Sequence, residues 1–209
     1  MKGLFDVKLQ INSWESQRWD IKHFVNAFMD QYKAMFYGLF AQFYDVANKG
    51  NMEKVDSNIL TINKLKNNFE SDLIYVNTKF IDQRVDFDYN KLYDDMIKEA
   101  REFRLNFKER EDKKLTHDEQ IKRMDMNIEF VIASTQYDID CLNESKDKEA
   151  YDSLCKRVYD KRGLLIQESR ELGIYDELKE KFDSIKDVLK IDTSSFVVFD
   201  KLEEVEFKA

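Results

Sequence analysis

The spacing of apolar residues along the chain changes period twice. Phe5, Val7, Leu9 and Ile11 alternate with Asp6, Lys8 and Gln10, the two-residue period of a half-buried strand. Asn12 and Ser13 then mark a helix start, with Glu15 three residues after Asn12 in the manner of a capping box. That first helix runs from about Ser13 to Asn48 and stops at Gly50, a residue suited to the left-handed cap position. From Val55 the apolar positions recur as Ile59, Ile62, Phe69, Leu73, Val76 and Phe80, with only Lys66 interrupting and Leu65 beside it. Alternating steps of four and three give a narrow seam against a partner helix.

The pattern lapses between Asp82 and Tyr89, where a bend is expected. It resumes with Tyr93, Met96, Ala100, Phe103 and Phe107 and ends in the charged tip KEREDKK. Thr116 and Glu119 form a complete capping box that opens a fourth helix, whose face is Ile121, Met124, Ile128, Ile132, Thr135, Ile139 and Leu142. NESKDKE, residues 143–149, reads as a polar turn. A fifth helix follows through Tyr151, Leu154, Val158, Leu165 and Leu172 and closes at Gly173, with Ile174 as the apolar residue of a Schellman cap. A short sixth helix uses Leu178, Phe182, Ile185 and Leu189, and Phe196–Phe199 reads as a strand that could pair with residues 4–11. The expectation is a mainly all-α single domain over 1–209: a strand or arm at 1–12, five to six helices over 13–190, and a strand or tail at 191–209. The helices form an elongated antiparallel bundle with coiled-coil-like seams, and the two terminal segments supply a minor β element.

One segment stands apart. Phe24, Phe28, Tyr32, Phe36, Phe40 and Tyr44 place a ring at every fourth position. Four residues turn a helix through about 400°, so the row drifts by about 40° per ring and about 200° over its length. No single flat partner covers it. These six residues are therefore read as packing or subunit-interface positions, buried by different neighbours along the helix. Gly38, within the same helix, costs about 1 kcal/mol against alanine, which close approach of another backbone would explain, as would chance.

Composition sharpens this picture. The 209 residues contain no proline and five glycines, so tight turns are few and elements long. A net charge of −8 opposes the phosphate-directed field of a nucleic-acid binder, and each basic cluster is flanked by acids. The longest uncharged run in the aromatic helix, Ala34–Tyr44, is about half of what a membrane span requires, and no secretory leader is evident, so neither a transmembrane nor a secreted protein is expected. Phe, Tyr, Met, Ile, Asn and Lys together number 86, against 22 for Gly, Ala, Arg and Pro, a bias that points to an AT-rich genome such as that of a low-GC bacterium or its phages.

Candidate chemistry is sparse. Asp86, Asp88, Asn90 and Asp94 imitate part of a calcium loop, but Lys91 stands where its glycine belongs and Ile97 where its closing glutamate belongs. His23 and His117 lack the companions of a metal site. Cys141 and Cys155 are expected on consecutive helices at unequal depths from the connecting loop, which disfavours a disulfide. Cys155 lies beside Lys156 and Arg157 without a histidine, no glycine-rich loop cradles a phosphate, and pairs such as Asp94–Asp95 and Glu203–Glu204 read as solvated faces. No catalytic residue, cofactor or metal ligand is assigned. The expected function is that of a non-catalytic structural or assembly protein working through other protein subunits, as a homo- or hetero-oligomer, in a virion or in the cytoplasm of a low-GC host. The rival is a small acidic helical inhibitor of a host protein.

Overall fold

A computed structural model describes residues 21–79, 89–112 and 114–198. Six helices account for nearly all of them: α1 (Ile21–Asn48), α2 (Met52–Lys79), α3 (Tyr89–Glu109), α4 (His117–Ser145), α5 (Lys148–Glu171) and α6 (Tyr175–Val188). The expected opening strand at 4–11, the helix start at Ser13 and the bend at 82–88 lie outside the described residues.

The helix ends have identifiable causes. Gly50 (φ 69°) and Gly173 (φ 71°) occupy the left-handed region. In both cases the Schellman pair of bonds forms: Asn51 N–H donates to Val46 O and Gly50 N–H to Ala47 O, while Ile174 N–H donates to Ser169 O and Gly173 N–H to Arg170 O. Ile174 is fully buried, so the cap also anchors the start of α6. At α4 the capping box is complete, with Glu119 N–H donating to Thr116 Oγ1 and Thr116 N–H to the Glu119 carboxylate. Arg110 grips that same carboxylate with two bonds of 2.6 and 2.7 Å and lies over the Phe107 ring, which fixes the α3–α4 corner. The turn expected across 143–149 is much shorter. α4 continues to Ser145, Lys146 takes the left-handed cap (φ 55°), and Asp147 already caps α5 through Ala150 N–H.

Consecutive helices run antiparallel. Asp56 meets Arg104 while Lys66 meets Asp94, so α2 and α3 oppose. Asp138 meets Arg157 while Glu168 meets Arg123, so α4 and α5 oppose. Tyr151 meets Leu189 while Arg162 meets Asp183, so α5 and α6 oppose as well. Apolar burial divides into two clusters. One joins α1, α2 and α3 around Phe36, Phe43, Ile62, Phe69, Tyr93 and Phe107, and the other joins α4, α5 and α6 around Met124, Ile128, Leu165 and Phe182. In α2 the fully buried residues Val55, Ile62, Phe69 and Val76 recur every seven positions, and Leu65 sinks beside them while Lys66 turns outward to Asp94.

The two clusters are held together by α1 and α4, the most extensively packed pair of helices. They also run antiparallel: Asp45 meets Arg123, and a Cβ on Gly38 would sit 3.2 Å from the Phe130 ring. Ala34 and Ala41 are buried on either side of Gly38, and these small side chains let the helices approach closely. At the other end of the described chain, Val197 N–H donates to Lys146 O and Lys148 N–H to Val197 O, an isolated parallel bridge to Asp147. Phe196 meets the Tyr151 ring edge-on. The described part of the tail is thus engaged by the α4–α5 corner, and no strand occurs among the described residues; residues 4–11, its expected partner, are not among them.

Candidate functional site

The aromatic row of α1 lies inside the protein. Phe28, Tyr32, Phe36, Phe40 and Tyr44 are all buried, the last at 4% exposure; the side chain of Phe24 is outside the described residues. As the 40° drift requires, the neighbours change along the row. Phe28 and Tyr32 pack on Phe69 of α2 at 6.0 and 5.0 Å between centroids, Phe36 on Tyr93 of α3 at 3.8 Å, and Phe43 and Tyr44 on Phe103 of α3. The hydroxyls reach polar partners at the rim: Tyr32 donates to Asp72, and Tyr44 donates to Glu99, which Lys122 also binds. Burial and these carboxylates push both phenols well above the usual tyrosine range.

The residues singled out for chemistry do not converge. Asp86 and Asp88 of the calcium-like segment are outside the described residues. From Tyr89 onward that segment is helix, with Asp94 bonded to Lys66 at 2.5 Å and Ile97 buried in the first core. His117 bonds Glu177 at 3.1 Å in an exposed link between the starts of α4 and α6; His23 is not described at the side-chain level. Cys141 and Cys155 are both free and half-buried, and burial pushes the Cys141 thiol up. Arg157 is turned away to Asp138. Among the described residues no group of three or more His, Cys, Asp or Glu could hold a metal ion, and no helix is long and apolar enough to cross a membrane.

Among the described residues four polar side chains are buried, Arg123, Thr135, Asp140 and Ser169, and Arg123 is the one that carries a cation. Arg123, at 9% exposure, extends from α4 to Asp45 of α1 at 2.9 Å and to Glu168 of α5 at 2.5 Å, with a third bond to Gln120. Burial works against its charge, and the hydrogen bonds to Asp45 and Glu168 outweigh it. It thereby ties the first apolar cluster to the second. A separate cleft of about 220 Å³ between α1, α3 and α4 is lined by Phe40, Tyr44, Met96, Met126 and the charged trio Glu99, Lys122 and Asp125.

A second, more apolar surface lies on the opposite side of α1. A groove of about 380 Å³ has Ala34, Met35, Gly38 and Leu39 as its floor, Thr61, Lys64, Leu65 and Asn68 of α2 as one wall, and Phe130 of α4 as the other. The helix periodicity extends this face. Arg123, Phe130 and Asp138 share one stripe of α4, and their α5 partners Glu168 and Arg157 share a stripe with Leu164, which is 63% exposed. The antiparallel register sets Leu164 at the height of Phe130. Met35, Leu39 and Phe130 line the groove, with α2 at its edge, and by this register exposed Leu164 of α5 continues the band at the height of Phe130. The neighbour at Gly38 is the Phe130 ring rather than the backbone that the sequence suggested, and the band went unseen because Phe130 and Leu164 fall off the core faces of their helices.

Compared with known proteins, the chain matches no family model, no curated protein and no solved structure.

Proposed function

We propose that this chain is a non-catalytic structural or assembly protein that acts through protein–protein contacts, as a subunit of a larger complex such as a bacteriophage or viral particle. The observation that carries this reading is the band formed by Met35, Leu39, Phe130 and Leu164. Phe130 and Leu164 are exposed and belong to neither cluster, while Met35 and Leu39 pack against the first cluster and stay only half-buried, so the band leaves apolar area open to solvent. Isolated surface leucines are ordinary; a contiguous apolar patch marks an interaction surface. The AT-rich residue usage favours a low-GC host, in whose cytoplasm or phage particles the protein works. In this reading the helices form an elongated antiparallel bundle with coiled-coil-like seams, and the terminal segments contribute a small β element.

The test is affinity purification from the native source, followed by light scattering on the purified assembly. A complex of fixed stoichiometry, with itself or with another protein, is the expected result. A stable monomer from which no partner is recovered overturns the reading.

A further inference from the structure

The charges around the band point to what it accepts. Acids make up 42 of the 209 residues, yet three carboxylates bordering this face are engaged within the chain, and Asp160, one turn before Leu164, is the exposed acid beside it without an ion pair among the described residues. Asp45 and Glu168 are held by Arg123, and Asp138 is held by Arg157. The outward stripes of α1 and α4 carry Gln31, Gln42, Asn127 and Ser134, all without charge. Two exposed cations remain. Lys64 stands on the α2 wall of the groove; the positions one turn away are Leu60, Thr61, Asn67 and Asn68, so no carboxylate is at hand. Lys161 lies on the α5 stripe between Arg157 and Leu164, and its neighbours one turn away are Arg157, Val158, Leu164 and Leu165. No ion pair to either lysine occurs among the described residues. In a protein of net charge −8 this face is an apolar strip with an unpaired lysine at each flank, Lys64 and Lys161, against one unpaired acid, Asp160.

We infer that the α2–α1–α4–α5 face docks an amphipathic helix of a partner protein, one whose apolar stripe is flanked by carboxylates. Met35, Leu39 and Phe130 receive the apolar stripe, as helix-in-groove recognition requires, and Lys64 and Lys161 pair with acids on its two flanks and set its orientation. The inference rests on the assembly reading above and adds the chemistry of the partner. A second copy of this chain and a segment of the same chain are the competing occupants.

The probe is a synthetic 18-residue helical peptide with a leucine stripe flanked by glutamates, compared with the same stripe flanked by lysines, each titrated into the full-length protein by fluorescence anisotropy at low and high salt. The glutamate peptide binds about tenfold more tightly at low salt, and the preference shrinks as salt screens the flanks. The surface double variant Lys64→Glu/Lys161→Glu inverts the order. Leu164→Ser, which touches neither core, weakens both peptides. Equal binding of the two peptides, binding of neither, or a preference that survives charge reversal overturns the inference. Hydrogen-exchange mapping of the native assembly separates this failure from that of the assembly reading. Protection centred on Met35, Phe130 and Leu164 by a partner helix supports the inference. Protection elsewhere, by a second copy, or by the chain's own ends overturns it while leaving the assembly reading intact, and a partnerless monomer overturns both.

Discussion

Replacing Arg123 by methionine tests whether one buried guanidinium couples the two halves of the core. Methionine keeps the length and packs without charge. The substitution removes hydrogen bonds to Asp45 and Glu168, whose side chains are 41% and 43% exposed, whereas the Arg123 side chain is only 10% exposed. A charge-assisted bond contributes about 1.5–3 kcal/mol in general. Here two terms reduce the loss. The desolvation penalty of the guanidinium disappears with it, and both carboxylates are open enough to recover water. The expected net destabilisation is about 1–2 kcal/mol, equivalent to roughly 2–8 °C in Tm for a chain of this size. The assay is urea denaturation followed by far-UV circular dichroism. The cycle of Arg123→Met with Glu168→Gln carries the decisive number, a coupling of about 1 kcal/mol. An Arg123→Met protein within about 0.3 kcal/mol of the parent, together with additive single and double variants, would show that the triad behaves like a solvated surface pair and refute the argument.

Three further outcomes follow from the same contacts. Phe69→Ala, at the meeting point of Phe28, Tyr32 and Tyr93, costs about 3–5 kcal/mol in chemical denaturation, whereas Ile74→Ala, at 69% exposure on the same helix, costs less than about 0.5 kcal/mol. Burial and then Asp125 raise the Glu129 carboxyl above its usual range, against the opposing pull of Lys181 and Lys33. Its folded-state pKa therefore exceeds the unfolded value, and the ionised group penalises the fold at neutral pH, a penalty absent below the unfolded pKa and incurred as pH rises through the folded one. Glu129→Gln is accordingly more stable than the parent at pH 7 and loses that advantage as the pH is lowered to about 4, near the usual glutamate value; a less stable variant at pH 7 contradicts the assignment. Gly38→Ala gains about 1 kcal/mol of helix propensity but presses a Cβ to 3.2 Å from Phe130. That ring is 37% exposed and can give way, so the variant is neutral to slightly stabilising, and the full gain emerges only in a Phe130→Ala background.

Much of the fold was legible because most helices bury one stripe, and a single stripe leaves a single period. The spacing of Tyr93, Ala100, Phe103 and Phe107 identified the inner face of α3, though Ile97 is buried where the pattern offered half-buried Met96, and Leu178, Phe182, Ile185 and Leu189 that of α6. The Thr116–Glu119 box and the Gly50 and Gly173 caps were readable because each depends on residues within one turn of the helix end. The turn at 143–149 was overdrawn for the complementary reason. Its left-handed position is filled by Lys146 rather than by glycine or asparagine, and a lysine there carries no local signal.

α4 shows why the candidate surface stayed hidden. This helix meets neighbours on two sides: Met124, Ile128 and Ile139 lie in the core with α5 and α6, while the stripe with buried Arg123 and partly exposed Phe130 runs beside α1. The second stripe holds an arginine, an asparagine, a phenylalanine and a serine, which read in isolation as an ordinary solvated face. Its role depends on α1 presenting Ala34, Gly38 and Ala41 opposite it, small residues that leave no hydrophobic signature of their own. The aromatic row and this small-residue stripe are two faces of one helix. Rings on one side fill the core shared with α2 and α3, and their absence on the other lets α4 close in. That close approach leaves Phe130 and Leu164 at a common height beside Met35 and Leu39. The exposed band is therefore a product of helix register, set by Arg123 with its two carboxylates and by Phe130 against Gly38, so loosening Arg123 should weaken peptide docking on the face even though the arginine itself never touches the ligand.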